Sequence, residues 1–107
     1  MKKYNFGDIV LLKFPFTDGI TFKKRPAIII KDTKDGDVVV ARITSQLINT
    51  EFDVFIENWR ESGLKLPSVI RLHKLASLEK NIIDAILGKI DNELASLIKK
   101  TFITLLN

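Results

Sequence analysis

Two short runs place phosphate-competent side chains at the ends of segments that otherwise read as core strands. In Lys23-Lys24-Arg25-Pro26 a guanidinium precedes the apolar Ala27-Ile28-Ile29-Ile30. In Arg42-Ile43-Thr44-Ser45-Gln46 two hydroxyls and an amide follow the run Val38 to Ala41. A guanidinium is planar, stays charged and can bind two phosphoryl oxygens at once. A threonine hydroxyl can donate to a non-bridging oxygen, and Ser45, its neighbour on an alternating strand, should face the other way. Taken singly, each run has a plainer reading. Arg25 fits a solvated cation in a charge run, and Thr44 fits a β-branched residue that suits a strand. Only co-occurrence with Arg25 raises Thr44 above that.

Other chemistries are thinly represented. The chain has no cysteine, which excludes disulfides, thiolate metal sites and cysteine nucleophiles together. His73 is the only histidine, so an acid and base pair of two imidazoles is unavailable, and a surface or strand-end role is the expectation for it. The carboxylates are scattered with no metal-ligand spacing, and there is no glycine-rich phosphate loop and no nucleophile elbow. Trp59, beside Arg60, fits a base-stacking residue and a lid over the core or a partner groove equally well.

With 107 residues, 46% hydrophobic and 28% charged, the chain has the balance of a folded single domain, expected over residues 1–107. Seventeen Lys and Arg against thirteen Asp and Glu leave a formal charge of +4, a modest bias toward polyanionic partners. The basic start, Met1-Lys2-Lys3, leads into Phe6-Gly7-Asp8 and not into an apolar run, which argues against a signal peptide. The apolar runs fall well short of the ~20 residues of a membrane span, so no membrane role and a cytoplasmic location are expected.

These residues must be positioned by short strands. Residues 8 to 16 are mostly apolar and end at Phe14-Pro15-Phe16, with turn chemistry in Thr17-Asp18-Gly19 and a loop or hairpin arm from Ile20 to Lys24. A second strand, Ala27 to Lys31, joins a third through the hairpin signal Asp35-Gly36. Phe52 to Ile56 alternates as a fourth strand, Asn58 to Gly63 reads as a loop, and Pro67 to Leu72 as a fifth strand. Between Leu75 and Ile90 a helical turn over Asn81 to Leu87 competes with a strand over Ala85 to Ile90, and a turn followed by a strand is preferred. Asp91 then reads as the N-cap of an amphipathic helix, with Glu93 in its first turn, Leu94, Leu97, Ile98, Phe102 and Leu105 at helical spacing, and Lys99 and Lys100 toward its far end. The architecture expected is mainly β with α: a small, strongly curved antiparallel barrel with one C-terminal helix.

The ordered set Gly7-Asp8-Ile9-Val10, Arg25-Pro26-Ala27-Ile28-Ile29-Ile30, Ile43-Thr44-Ser45-Gln46 and Ser68-Val69-Ile70, followed by a capped helix, resembles the MazF/PemK family of toxin ribonucleases. The resemblance spans roughly residues 6 to 105. It implies an SH3-like antiparallel barrel acting as a homodimer, cutting single-stranded RNA without metal or other cofactor, and neutralised by a cognate antitoxin. It also implies a product with a 2′,3′-cyclic phosphate and a 5′-hydroxyl. Arg25 and Thr44 match the family's catalytic pair, and Lys24, Ser45, Gln46 and Asp18 are the substrate-binding residues expected around them. Some members carry an acid five positions before the arginine; this chain has Ile20 there. Two other readings stay open: a toxin-like binding module acting on a protein partner such as gyrase, and a general nucleic-acid binder. Recognition of a particular RNA sequence is expected to depend on the loops around residues 17 to 24 and 47 to 66.

Overall fold

The structure is a computed structural model that describes residues 2–107. Six strands, β1 (Asp8–Pro15), β2 (Phe22–Asp32), β3 (Asp37–Thr44), β4 (Asp53–Phe55), β5 (Val69–Glu79) and β6 (Ile83–Lys89), form one antiparallel sheet in the order β4-β5-β3-β2-β1-β6. A single 3-10 turn, Lys80–Ile82, joins β5 to β6, and helix α1 (Asn92–Leu106) ends the chain.

The poor alternation of the early strands has a structural cause: both faces of the sheet are covered. Ile9, Ile28, Ala41, Ile43, Ile70 and Leu72 build one core with Leu94 and Ile98 of α1. Their immediate neighbours Val10, Leu12, Ala27, Ile29, Val38 and Val40 build a second core on the opposite face, under Tyr4. Successive strand residues point to opposite faces, so two buried faces demand continuous apolar runs.

The sheet curls toward a barrel but stays open. Its edge strands β4 and β6 share no ladder. The loop after β4 bridges the gap by backbone contact. A Cβ built on Gly63 would lie 2.0 Å from the Leu87 carbonyl oxygen, and one on Gly88 would lie 2.3 Å from the Ser62 carbonyl oxygen. Gly63 also sits at φ +90°, which L side chains rarely adopt.

Several boundaries differ from those expected from local signals. β2 begins at Phe22, five residues before Ala27, because β1 continues to pair with it out to Pro15↔Phe22. β5 runs on past Leu72, the end expected for the fifth strand, to Glu79, because β3 pairs with it as far as Asp37↔Glu79. The preferred turn and strand after it do form, with the strand starting at Ile83. Helix α1 is capped as read: Asp91 accepts from the Leu94 N–H at 2.8 Å. Leu94 and Ile98 are buried, but Leu97 is half exposed, and no basic residue lies in the last turn because the helix runs two turns past Lys99. Lys99 and Lys100 therefore do not serve the C-terminal dipole.

The N-terminal segment is tied down by one carboxylate. Asp32 accepts from the backbone N–H of Tyr4 (3.0 Å) and of Lys34 (2.9 Å) and pairs with Lys80 at 3.0 Å. The Tyr4 N–H first, then the Lys80 ammonium and the Lys34 N–H, hold its carboxyl down at about 2.

Candidate functional site

Strands β2 and β3 pair from Asp32↔Val38 to Ala27↔Arg42 and then part. Pro26, the next residue of β2, has no N–H to give a ladder. Arg25 lies two residues before Ala27 and Thr44 two residues after Arg42, so the two occupy facing positions on strand ends that have separated. Where they part, a cleft of about 650 Å³ opens, with the loop from Gly63 to Ser68 as its far wall.

Arg25, Thr44, Lys24, Ser45 and Gln46 all line this cleft, Ser45 on the same side as Thr44 and not on the opposite face, because β3 ends at Thr44 and strand alternation stops there. Arg25 is exposed and spends one guanidinium N–H on the Lys24 carbonyl oxygen at 3.1 Å. No carboxylate pairs with it among the described residues, leaving most of its fork of donors free. The half-buried Thr44 accepts from the Gln46 N–H at 3.2 Å. That bond orients the hydroxyl oxygen and leaves its hydrogen free to donate. Lys24 holds Asp84 in an ion pair at 3.2 Å with both partners partly exposed, an arrangement worth little and easily exchanged for a phosphate.

Asp18 lies apart from the cleft lining. Its carboxylate accepts from the N–H groups of Ile20 (2.9 Å) and Thr21 (3.0 Å) and from the Thr21 hydroxyl (2.7 Å), so it organises the β1–β2 loop. Thr21 N–H, followed by the Ile20 N–H and the Thr21 hydroxyl, holds its carboxyl below the ordinary range.

Two cations in the cleft were not anticipated: Arg42 and Lys65. Arg42 had a signal, since it stands two residues from Thr44 on one strand and shares its face. Lys65 sits in a loop, where no periodicity could place it. The lining therefore holds four cations, two serine hydroxyls, the threonine hydroxyl and an amide, with no carboxylate. Ser68 is buried and donates to the Leu66 carbonyl oxygen at 2.9 Å, which fixes the far wall.

Trp59 is partly buried against the core under α1, with the Arg60 guanidinium 4.9 Å from its ring centroid, and so serves as a lid on that core. His73 lies within β5, not at a strand end, and is partly buried, with its Nε2 3.4 Å from Arg71 and its ring 5.7 Å from that of Phe52. Neither residue lines the cleft. Among the described residues no cluster of His, Asp and Glu could hold a metal ion, and no helix is long and apolar enough to cross a membrane.

Fold and cleft together define a mainly β protein, an open barrel-like antiparallel sheet with one C-terminal helix, that carries a cationic groove at the parted ends of two strands. Over residues 5–106 the chain matches the family of PemK-like, MazF-like toxins of type II toxin-antitoxin systems, and it belongs to that family. Comparison with curated proteins by sequence returns no match. Among solved structures it is similar to an endoribonuclease from a mycobacterial species, with TM-score 0.78 and 16% identity over 99% of this chain and 93% of that one. It is also similar to a mycobacterial endoribonuclease in complex with its cognate antitoxin, with TM-score 0.76 and 16% identity over 97% of this chain and 95% of that one. A MazE-MazF structure from Deinococcus radiodurans superposes with TM-score 0.75 and 18% identity over 100% of this chain and 98% of that one. At these identities the likeness is one of fold.

Proposed function

We propose that this toxin is a metal-independent endoribonuclease that cuts single-stranded RNA, with Arg25 and Thr44 as its catalytic residues. The observation that carries the reading is that a free guanidinium and an oriented hydroxyl, distant in sequence, line one open cationic cleft. The cleft offers cations, hydroxyls and an amide but no carboxylate, imidazole or thiolate, a donor set suited to phosphate and not to a catalytic metal.

In the reaction the substrate's 2′-oxygen attacks the adjacent phosphorus while its proton passes to solvent water, which the open cleft admits. The bond to the 5′-oxygen breaks, that oxygen gains a proton, and the products are a 2′,3′-cyclic phosphate and a 5′-hydroxyl. Negative charge builds on the non-bridging oxygens on the way. Arg25 binds those oxygens through two parallel N–H bonds, and Thr44 donates its free hydrogen to one of them. A guanidinium, which keeps its charge, is an electrostatic clamp and a proton donor to the leaving oxygen far more readily than a base. Lys24, Arg42 and Lys65 supply the field that draws in and aligns the flanking phosphates, while Ser45 and Gln46 contact sugar or base edges. The working unit is a single domain that assembles as a homodimer in the cytoplasm and is held inactive by a cognate antitoxin. Its exposed apolar side chains, among them Leu47, Leu66 and Ile103, support such contacts.

The test is incubation of purified protein with a long unstructured RNA in chelator, followed by sequencing of the new ends. Discrete ends bearing 5′-hydroxyls are expected, lost in Arg25→Ala and Thr44→Ala variants of unchanged melting temperature. The lack of any proton acceptor in the lining favours one second reading, a non-catalytic module acting on a protein partner such as gyrase. Intact RNA together with tight antitoxin binding would decide for it.

A further inference from the structure

The outer face of the β1–β2 ribbon continues beyond the cleft. Alternation and register put Leu11, Lys13 and Pro15 of β1 on one face with Pro26, Lys24 and Phe22 of β2. The cleft takes one end of that stripe, at Leu11, Pro26 and Lys24. A second groove of about 380 Å³ takes the other end, at Lys13, Pro15 and Phe22, and is closed by Asn81 and Asp84. Phe22 is 48% exposed, and the Lys13 ammonium stands 4.2 Å from its ring centroid. Asp84 is a bulged residue: Leu11 pairs with Ala85 and Leu12 with Ile83, leaving it without a partner on β1. A bulge re-aims its side chain, and this one meets Lys24. The Lys24–Asp84 pair therefore stands at the boundary between cleft and groove.

We propose that the second groove is a nucleobase subsite, which holds an unpaired base of the same RNA strand whose scissile phosphate lies in the cleft. The proposal rests on the nuclease reading of that cleft. An aromatic ring half open to water offers a face on which any base can stack, and stacking of this kind is sequence-tolerant. Lys13 holds the ring in place by its cation–π contact and brings a charge for the adjoining phosphate. The Asn81 amide, both donor and acceptor, is placed to meet a base edge. Charge favours RNA over a protein ligand here. Lys13, Lys23, Lys24 and Arg25 keep the ribbon cationic, four positive charges against the groove's one carboxylate, Asp84.

The experiment compares wild type with Phe22→Ala, Phe22→Trp and Asn81→Ala on a short unstructured RNA and on a minimal dinucleotide, in chelator. For Phe22→Ala, kcat/KM on the longer RNA should fall by about five- to 150-fold relative to that on the dinucleotide, the range expected for one stacked base. Phe22→Trp should restore it, and Asn81→Ala should flatten the base preference at one position among the sequenced ends. A parallel arm measures binding of the same RNA carrying a 2′-deoxy sugar at the cut position, and the same factor should appear there. If wild type does not cut RNA, the nuclease reading fails by itself, and the binding arm still decides the subsite. An unchanged substrate ratio with unchanged binding overturns the proposal. So does normal RNA handling accompanied by a change in sedimenting mass, which would make the groove a protein contact.

Discussion

Thr44→Val separates the proposed catalytic role of the hydroxyl from its structural one. Valine keeps the β-branched shape that suits the end of β3, so the strand itself should tolerate the change. Within the fold the hydroxyl has one recorded bond, accepting from the Gln46 N–H at 3.2 Å at an exposed position. That N–H can turn to water, so the stability cost is at most about 0.5–1.5 kcal/mol. In the transition state the same hydroxyl faces an oxygen gaining charge. Removing one such donor costs about 10²–10³ in kcat, or about 2.7–4 kcal/mol. The catalytic effect should thus exceed the folding effect by a clear margin. The assay is single-turnover cleavage of a short unstructured RNA in chelator, beside thermal unfolding of the same samples, with Thr44→Ser as the variant that returns the hydroxyl. A valine variant cutting at the wild-type rate with an unchanged melting temperature would refute the role given to Thr44. Parallel losses of rate and fold would make it a structural residue.

Arg25→Lys keeps the charge but loses the planar fork, so single-turnover cleavage should drop by about 10²-fold or more while salt-dependent RNA binding persists. Asp53→Ala should cost about 3–5 kcal/mol, read as a lower urea midpoint at an unchanged slope, because it strands Arg71 in a pair at 2.9 Å whose side chains are 16% and 1% exposed. Asp32 titrates at about 2 in the folded chain against 3.8 for the free side chain, so its contribution is complete above about pH 4 and is lost as pH falls through about 2. Unfolding followed across that window should show a slope that Asp32→Asn reduces, the remainder coming from the other hydrogen-bonded carboxylates held below their ordinary range, Asp18, Asp35, Asp53 and Asp91. Gly63→Ala forces a methyl into the Leu87 carbonyl oxygen and should abolish soluble folded protein, whereas Gly19→Ala, strained at φ +71° but with no atom within 4 Å of the added Cβ, should fold with a lowered melting temperature.

Much of the site was legible from local rules. Five of the six residues expected from the motifs and the family resemblance line one cleft, and each of the five stands at or just past the end of a strand whose apolar run announces it. Asp18 was the exception. An aspartate two residues ahead of a free N–H bends back onto its own loop, and that local bond outcompetes a distant ligand role. Strand limits were less legible. Leu75 to Glu79 carries no pattern that favours a strand, and only the facing length of β3 keeps it extended.

Residue types alone determined which groups could meet a phosphate, the turn at Asp35-Gly36, the cap at Asp91 and the two-sided burial of the early strands. All of these depend on neighbours a few residues apart. The tertiary structure decided the rest: that β2 and β3 part at Pro26, that Arg42 and Lys65 join the cleft, that the barrel stays open against Gly63, and that a bulge sends Asp84 to Lys24. Register, bulges and curl are summed over contacts between distant segments, and no local window of sequence contains them.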